Sequence, residues 1–172
     1  PRSPRADQMC LDGQVGVAVN IGPEAICSPH LPDLLDAFDP SQIVLELTEH
    51  VALEAHPTLA DHLGSLRQRG ARLAIDDTGS GFAGLTQILQ LSPDIIKLDP
   101  VLTRGVDLDP VRRAMAASLV SFAAETGAQM IAEGIETPGE LTALRNLGFR
   151  YGQGFHLGPP GPVDALGHRA GR

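Results

Sequence analysis

Six short apolar runs each carry a polar side chain at or near their C-terminal end. Asn20 lies near the end of Val15–Ile21 and Glu46 near the end of Ile43–Leu47. Asp76 and Asp77 follow Arg72–Ile75, and Lys97 and Asp99 close Ile95–Leu98. Glu133, then Glu136, follow Gln129–Ala132, and Gln153 lies in Gly152–Leu157. Any one of these acids alone reads as a helix N-cap or a solvated side chain. Aimed at one mouth, they repel each other unless cations sit among them. Oxygen ligands without Cys or His suit Mg2+ or Mn2+ rather than Zn2+. Adjacent Asp76 and Asp77 can serve two ions about 3.5–4 Å apart. Lys97 is the one cation of the set, able to orient a nucleophilic water or hold a phosphate oxygen. The chemistry that fits is two-metal hydrolysis of a phosphate ester. The six histidines (His30, His50, His56, His62, His156 and His168) are scattered and suggest no Ser/His/Asp set.

The runs alternate with helical patterns. Leu59, Leu63 and Leu66 recur at helical spacing with Gly70 as a stop, and Met115, Leu119 and Phe122 repeat this with Gly127. Thr137-Pro-Gly-Glu140 has the form of a capping box, followed by Leu141, Leu144, Leu147 and a stop at Gly148. Shorter helices are expected over 31–38 and 84–91. Successive β/α units imply a mostly parallel sheet. A doubly wound nucleotide fold would place GxGxxG after its first strand, where the chain has Asn-Ile-Gly-Pro. Acids at the C-terminal ends of strands favour a TIM-type (β/α) barrel. With about six of eight strands present, the barrel is expected to be N-terminally truncated. Residues 1–14 read as a lead-in or the remnant of a preceding helix, 15–160 as the partial barrel, and 161–172 as a tail or short helix.

The chain has 172 residues, enough for one core, and 42% of them are apolar. Its net charge of −8 argues against a duplex nucleic-acid partner. No run reaches the roughly 18 apolar residues of a membrane span. Cys10 and Cys27 lack CxxC spacing and are expected to be free thiols. The chain opens Pro-Arg-Ser-Pro-Arg without an initiator Met or a signal peptide, and is read as part of a longer protein.

Six segments together resemble the EAL family. These are VAVNIGPEAI at 17–26, LELTE at 45–49, LAIDDTGSGFAGL at 73–85, LSPDIIKLD at 91–99, IAEGIET at 131–137 and QGFHLGPP at 153–160. Their order and intervals are the family's; Asp77 to Lys97 and Glu133 to Gln153 are both 20 residues. The resemblance implies hydrolysis of cyclic di-GMP to linear pGpG at a two-metal site holding Mg2+ or Mn2+. Asn20, Glu46 and Asp76 would bind the first metal, with Asp76 bridging to a second held by Asp77 and Glu133. Lys97 would position the attacking water, supported by Asp99, with Glu133 as general base. Glu136 and Gln153 would face the substrate or stand behind the metal ligands. Glu49 with Thr78, Gly79 and Gly81 resembles the family's regulatory loop, which couples the metal site to a dimer interface.

The resemblance also implies a homodimer and an N-terminal sensory or GGDEF domain in the parent protein; with the acidic charge and the lack of an export signal in the sequence, the intracellular substrate it implies makes the cytoplasm the expected location. Thr78 replaces the usual Phe of DDFG, and Phe82-Ala83-Gly84 replaces YSS. Nothing before Val15 matches the family's Glu-Ala-Leu element, whose Glu is a metal ligand. The alternative is therefore an inactive module that binds cyclic di-GMP or dimerises. The absent strands are expected to leave open sheet edges, and hence a marginally stable or oligomeric chain.

Overall fold

The computed structural model describes residues 6–11, 14–48, 55–79 and 82–159. Seven strands form one sheet in sequence order: β1 (Ala6–Leu11), β2 (Gln14–Asn20), β3 (Ile43–Thr48), β4 (Arg72–Thr78), β5 (Ile95–Leu98), β6 (Gln129–Ala132) and β7 (Tyr151–Gly152). From β2 to β7 all neighbours are parallel, and the sheet curls into a half-barrel. Helices link the strands: α1 (Pro23–Ile26), α2 (Leu31–Asp36), α3 (Leu59–Gln68), α4 (Phe82–Leu91), α5 (Pro100–Thr103), α6 (Pro110–Thr126) and α7 (Pro138–Leu147). No helix among the described residues is long and apolar enough to cross a membrane.

Three sequence expectations need correction. Ala6–Leu11 is a strand antiparallel to β2, where a lead-in or helix remnant was expected. Leu11 pairs with Gln14, and the sequence between them is Asp-Gly, one of the dipeptides favoured between hairpin strands. The last strand is only two residues long, not the six of Gly152–Leu157. The buried stripe of α6 is Ala116, Leu119 and Ala123, whereas Met115 is largely exposed.

The apolar residues separate into two clusters, one on each face of the sheet. The larger joins the helices to the outward strand positions. It includes Leu45, Leu47, Leu73, Ile75, Ile96 and Leu98 with Leu59, Leu63 and Leu66 of α3. Full burial of each such side chain contributes about 1.5–3 kcal/mol. The smaller lines the inside of the curl: Ala18, Val44, Ala74, Ile95 and Ile131, with Tyr151 packed against them. Each belongs to a different strand, as in the layered interior of a closed barrel.

Candidate metal centre

Side chains along a strand alternate faces with a period of two. Two residues beyond the inner cluster, the same strands therefore present Asn20, Glu46, Asp76, Lys97, Glu133 and Gln153 to the same interior. Glu133 and Gln153 lie one residue past β6 and β7, but the ladder still holds them. Glu133 N donates to Leu98 O at 3.2 Å, and Gln153 N donates to Ala132 O at 2.8 Å. Asn20 sits in register beside Glu46, and Ile21 N donates to Glu46 O at 3.0 Å. The inner apolar cluster is the floor, and the six polar side chains stand at the mouth.

Lys97 is the hub. Its Nζ lies 3.0 Å from Glu46 Oε1, 2.8 Å from Asp76 Oδ1 and 2.8 Å from Glu133 Oε1. Glu46, Lys97 and Glu133 are all buried, with exposures of 2%, 4% and 7%. Burial alone would depress the ammonium pKa, but Glu133, Asp76 and Glu46 together hold it above its ordinary value. Three carboxylates against one ammonium leave surplus negative charge. Burial pushes Glu133 up to about 7; Lys97 pulls the other way, and Asp76 and Glu46 add to the rise. Gln153 Nε2 donates to Glu133 Oε1 at 2.6 Å.

Asp76 and Asp77 depart from strict alternation. On β4 the pairing runs Ala74 to Ile95 and Ile75 to Ile96, then jumps to Thr78 with Leu98. One extra residue is thus accommodated as a bulge. Asp77 takes it up in left-handed backbone, φ +57°, a region Asp tolerates better than most residues. The bulge lets neighbouring acids share one side of the strand. Asp76, Asp77 and Glu133 each offer an oxygen, and these oxygens lie within 4.8 Å of one another. An all-oxygen set at that spacing, beside unneutralised buried charge, fits a hard divalent cation.

Other expected residues lie elsewhere. Asp99 accepts from Val101 N and caps α5, so its carboxylate serves that helix. Glu136 pairs with Arg104 at 2.9 Å on the surface, not with Glu133. Thr78 is buried, and its hydroxyl has no hydrogen-bond partner among the described residues. Gly79 follows β4 with φ +114°. Glu49 and Gly81 lie outside the described residues. Cys27 is a free thiol. In the sequence Glu140 shows only as part of a helix cap, whereas its carboxylate also accepts from Gly105 N in the loop after α5. A cleft of about 450 Å³ opens beside the start of β6 and β7, lined by Ala128, Gln129, Arg150 and Tyr151. It lies at the opposite end of these strands from the carboxylates.

The EAL domain model matches residues 4–160. The chain belongs to the EAL domain family. It is 33% identical over 129 residues to the cyclic di-GMP phosphodiesterase PdeR of Escherichia coli (strain K12), covering 75% of this chain and 20% of that protein. Klebsiella pneumoniae BlrP1, solved as a manganese/cy-diGMP complex, superposes with a TM-score of 0.74 at 33% identity, over 80% of this chain and 37% of that one. The EAL domain of Mycobacterium smegmatis DcpA shares the fold, with a TM-score of 0.80 at 24% identity, over 87% of this chain and 70% of that one. The chain spans well under half the length of the curated relatives it matches.

Proposed function

We propose that this chain forms the catalytic part of an EAL-type phosphodiesterase that hydrolyses cyclic di-GMP to linear pGpG, using Mg2+ or Mn2+. The observation that carries the reading is the buried cluster in which Lys97 touches Glu46, Asp76 and Glu133, drawn from four consecutive strands. The site that binds the manganese and dinucleotide named for BlrP1 would here be built from these residues. Asn20, Glu46 and Asp76 would hold one cation, and Asp76, Asp77 and Glu133 the other. Bound cations would supply charge stabilisation for the phosphate and acidify a water.

The remaining work falls to the chain's own side chains. Glu133 Oε1 accepts from both Lys97 and Gln153, which leaves Oε2 as the oxygen to take the water's proton. A pKa near 7 suits a general base. Lys97 holds the nucleophile or a phosphate oxygen in line, and Asp99 fixes the start of α5 beside it. Glu136, three residues beyond Glu133, would meet the substrate at the rim. The family's dimer, its cytoplasmic setting and an upstream sensory or GGDEF domain belong to the same proposal.

The test is incubation of the chain with cyclic di-GMP and Mn2+ or Mg2+, with chromatography for pGpG. Product that vanishes with chelator supports the reading. Binding of cyclic di-GMP without product would replace it with the regulatory module.

A further inference from the structure

Glu140 is 5% exposed on α7, and its carboxylate accepts three backbone N–H groups. Oε2 takes those of Glu136 at 2.9 Å and Thr137 at 3.0 Å, and Oε1 takes that of Gly105 at 2.9 Å. The first two come from the entry to its own helix, the Thr137 N–H as part of a capping box in which Thr137 Oγ1 accepts in return from Glu140 N at 3.2 Å. The third does not. Gly105 follows α5, on the loop that leaves the Lys97 strand. Burial would raise the Glu140 pKa, but the backbone donors hold it below the usual carboxylate range. The group is therefore a charged acceptor at neutral pH, and its hydrogen bonds are of the stronger class.

The loops it joins are those that follow Lys97 and Glu133. They also touch closer to the site. Gly134, beside Glu133, has φ +67°, and a Cβ there would meet Pro100 Cβ at 2.7 Å. Pro100 itself follows Asp99 at the start of α5. Arg104 and Glu136 add a surface ion pair across the same seam.

We infer that Glu140 is a positioning residue: by binding Gly105 and the Glu136–Thr137 backbone together, it fixes the Glu133 loop against the Lys97 strand and so sets the Lys97–Glu133 pairing. Its effect on metal affinity rests on the proposed function, but its effect on backbone placement does not. Residues that orient metal ligands typically contribute about 10–100-fold to metal affinity.

Three variants of the chain separate placement from helix capping. Glu140→Ala removes all three acceptor bonds. Thr137→Ala breaks the same capping box and leaves the Gly105 bond. Glu140→Gln keeps one carbonyl acceptor. Amide hydrogen exchange reads the Glu133 N–H, whose acceptor is Leu98 O across β5 and β6. The expected result is lost protection at Glu133 and Gly105 in Glu140→Ala, part recovery in Glu140→Gln, and little change at either in Thr137→Ala. Mn2+ titration should show affinity about tenfold weaker in Glu140→Ala and within about twofold of wild type in Thr137→Ala.

Equal loss of Glu133 protection in the two alanine variants would overturn the inference, and so would unchanged protection at Glu133 in Glu140→Ala. If wild type bound no Mn2+, the proposed function would fail, and the exchange pattern would still decide the role of Glu140.

Discussion

Gln153 and Lys97 donate to the same oxygen of Glu133: Nε2 of Gln153 at 2.6 Å and Nζ of Lys97 at 2.8 Å. The carboxylate is thereby fixed about its terminal torsion, with its second oxygen turned from both. Gln153→Ala should free that torsion. Turnover is expected to fall about tenfold with KM for cyclic di-GMP within about twofold, as for residues standing behind metal ligands. Gln153→Glu should be worse, because it sets a second carboxylate against a group already short of compensating charge. Steady-state kinetics of the two variants check both statements.

Lys97→Met should remove turnover and weaken the fold. Deleting one partner of a buried ionic cluster typically costs about 3–5 kcal/mol, because the other charges remain buried. Urea unfolding in chelator should show the loss. It should be larger at about pH 8 than at about pH 5, since Glu133 carries its proton at the lower pH and relieves the repulsion.

The raised pKa of Glu133 makes stability depend on pH in a definite direction. In the folded chain Glu133 titrates near 7, above its ordinary 4.5. Between these values the folded state holds more protons than the unfolded one. Stability therefore falls as pH rises through this window. Glu133→Gln should flatten that slope without reversing it. Thermal melts in chelator from about pH 4.5 to 7.5 test the sign.

Thr78 offers a test of the one departure from the family pattern that lies inside β4. Its buried hydroxyl lacks a partner among the described residues. An unsatisfied buried polar group costs about 1–3 kcal/mol, and an apolar isostere removes the cost. Thr78→Val should raise the unfolding midpoint, with a gain in unfolding free energy of up to about 1–3 kcal/mol. A lower midpoint would show that the hydroxyl is satisfied in solution.

Much of this was legible in the sequence, for identifiable reasons. Ile95–Leu98 and Gln129–Ala132 are short, mostly apolar runs bounded by turn residues, and the structure forms both strands over those residues. The capping box at Thr137–Glu140 signals itself through two residue types at fixed spacing. Glu46, Asp76, Lys97 and Glu133 are legible because each lies at or near the end of an apolar run. What the sequence does not display is who meets whom across strands. Glu136 stands three residues from Glu133 yet turns to Arg104, and Asp99 turns to its own helix. The bulge that brings Asp77 beside Asp76 depends on the register with β5, which no local pattern encodes. The strand at Ala6–Leu11 has little local signature: Asp-Gly before Gln14 is a hairpin signal, but the polar, Pro-rich start of the chain obscures the strand ahead of it.

Floor and mouth are written on the same strands two residues apart, and this ties their inheritance together. Removing Ile96 alone would move Lys97 into an outward slot among the helices and Leu98 into the mouth, while Ile95 kept its place in the floor. A single-residue deletion in β3 or β6 would have the same character. Substitutions can therefore erode this site one side chain at a time, but length changes inside these strands cannot. The spacing within the strands should be stricter than the identity of the residues that occupy them, and a drifting descendant should lose its acids before it loses its count.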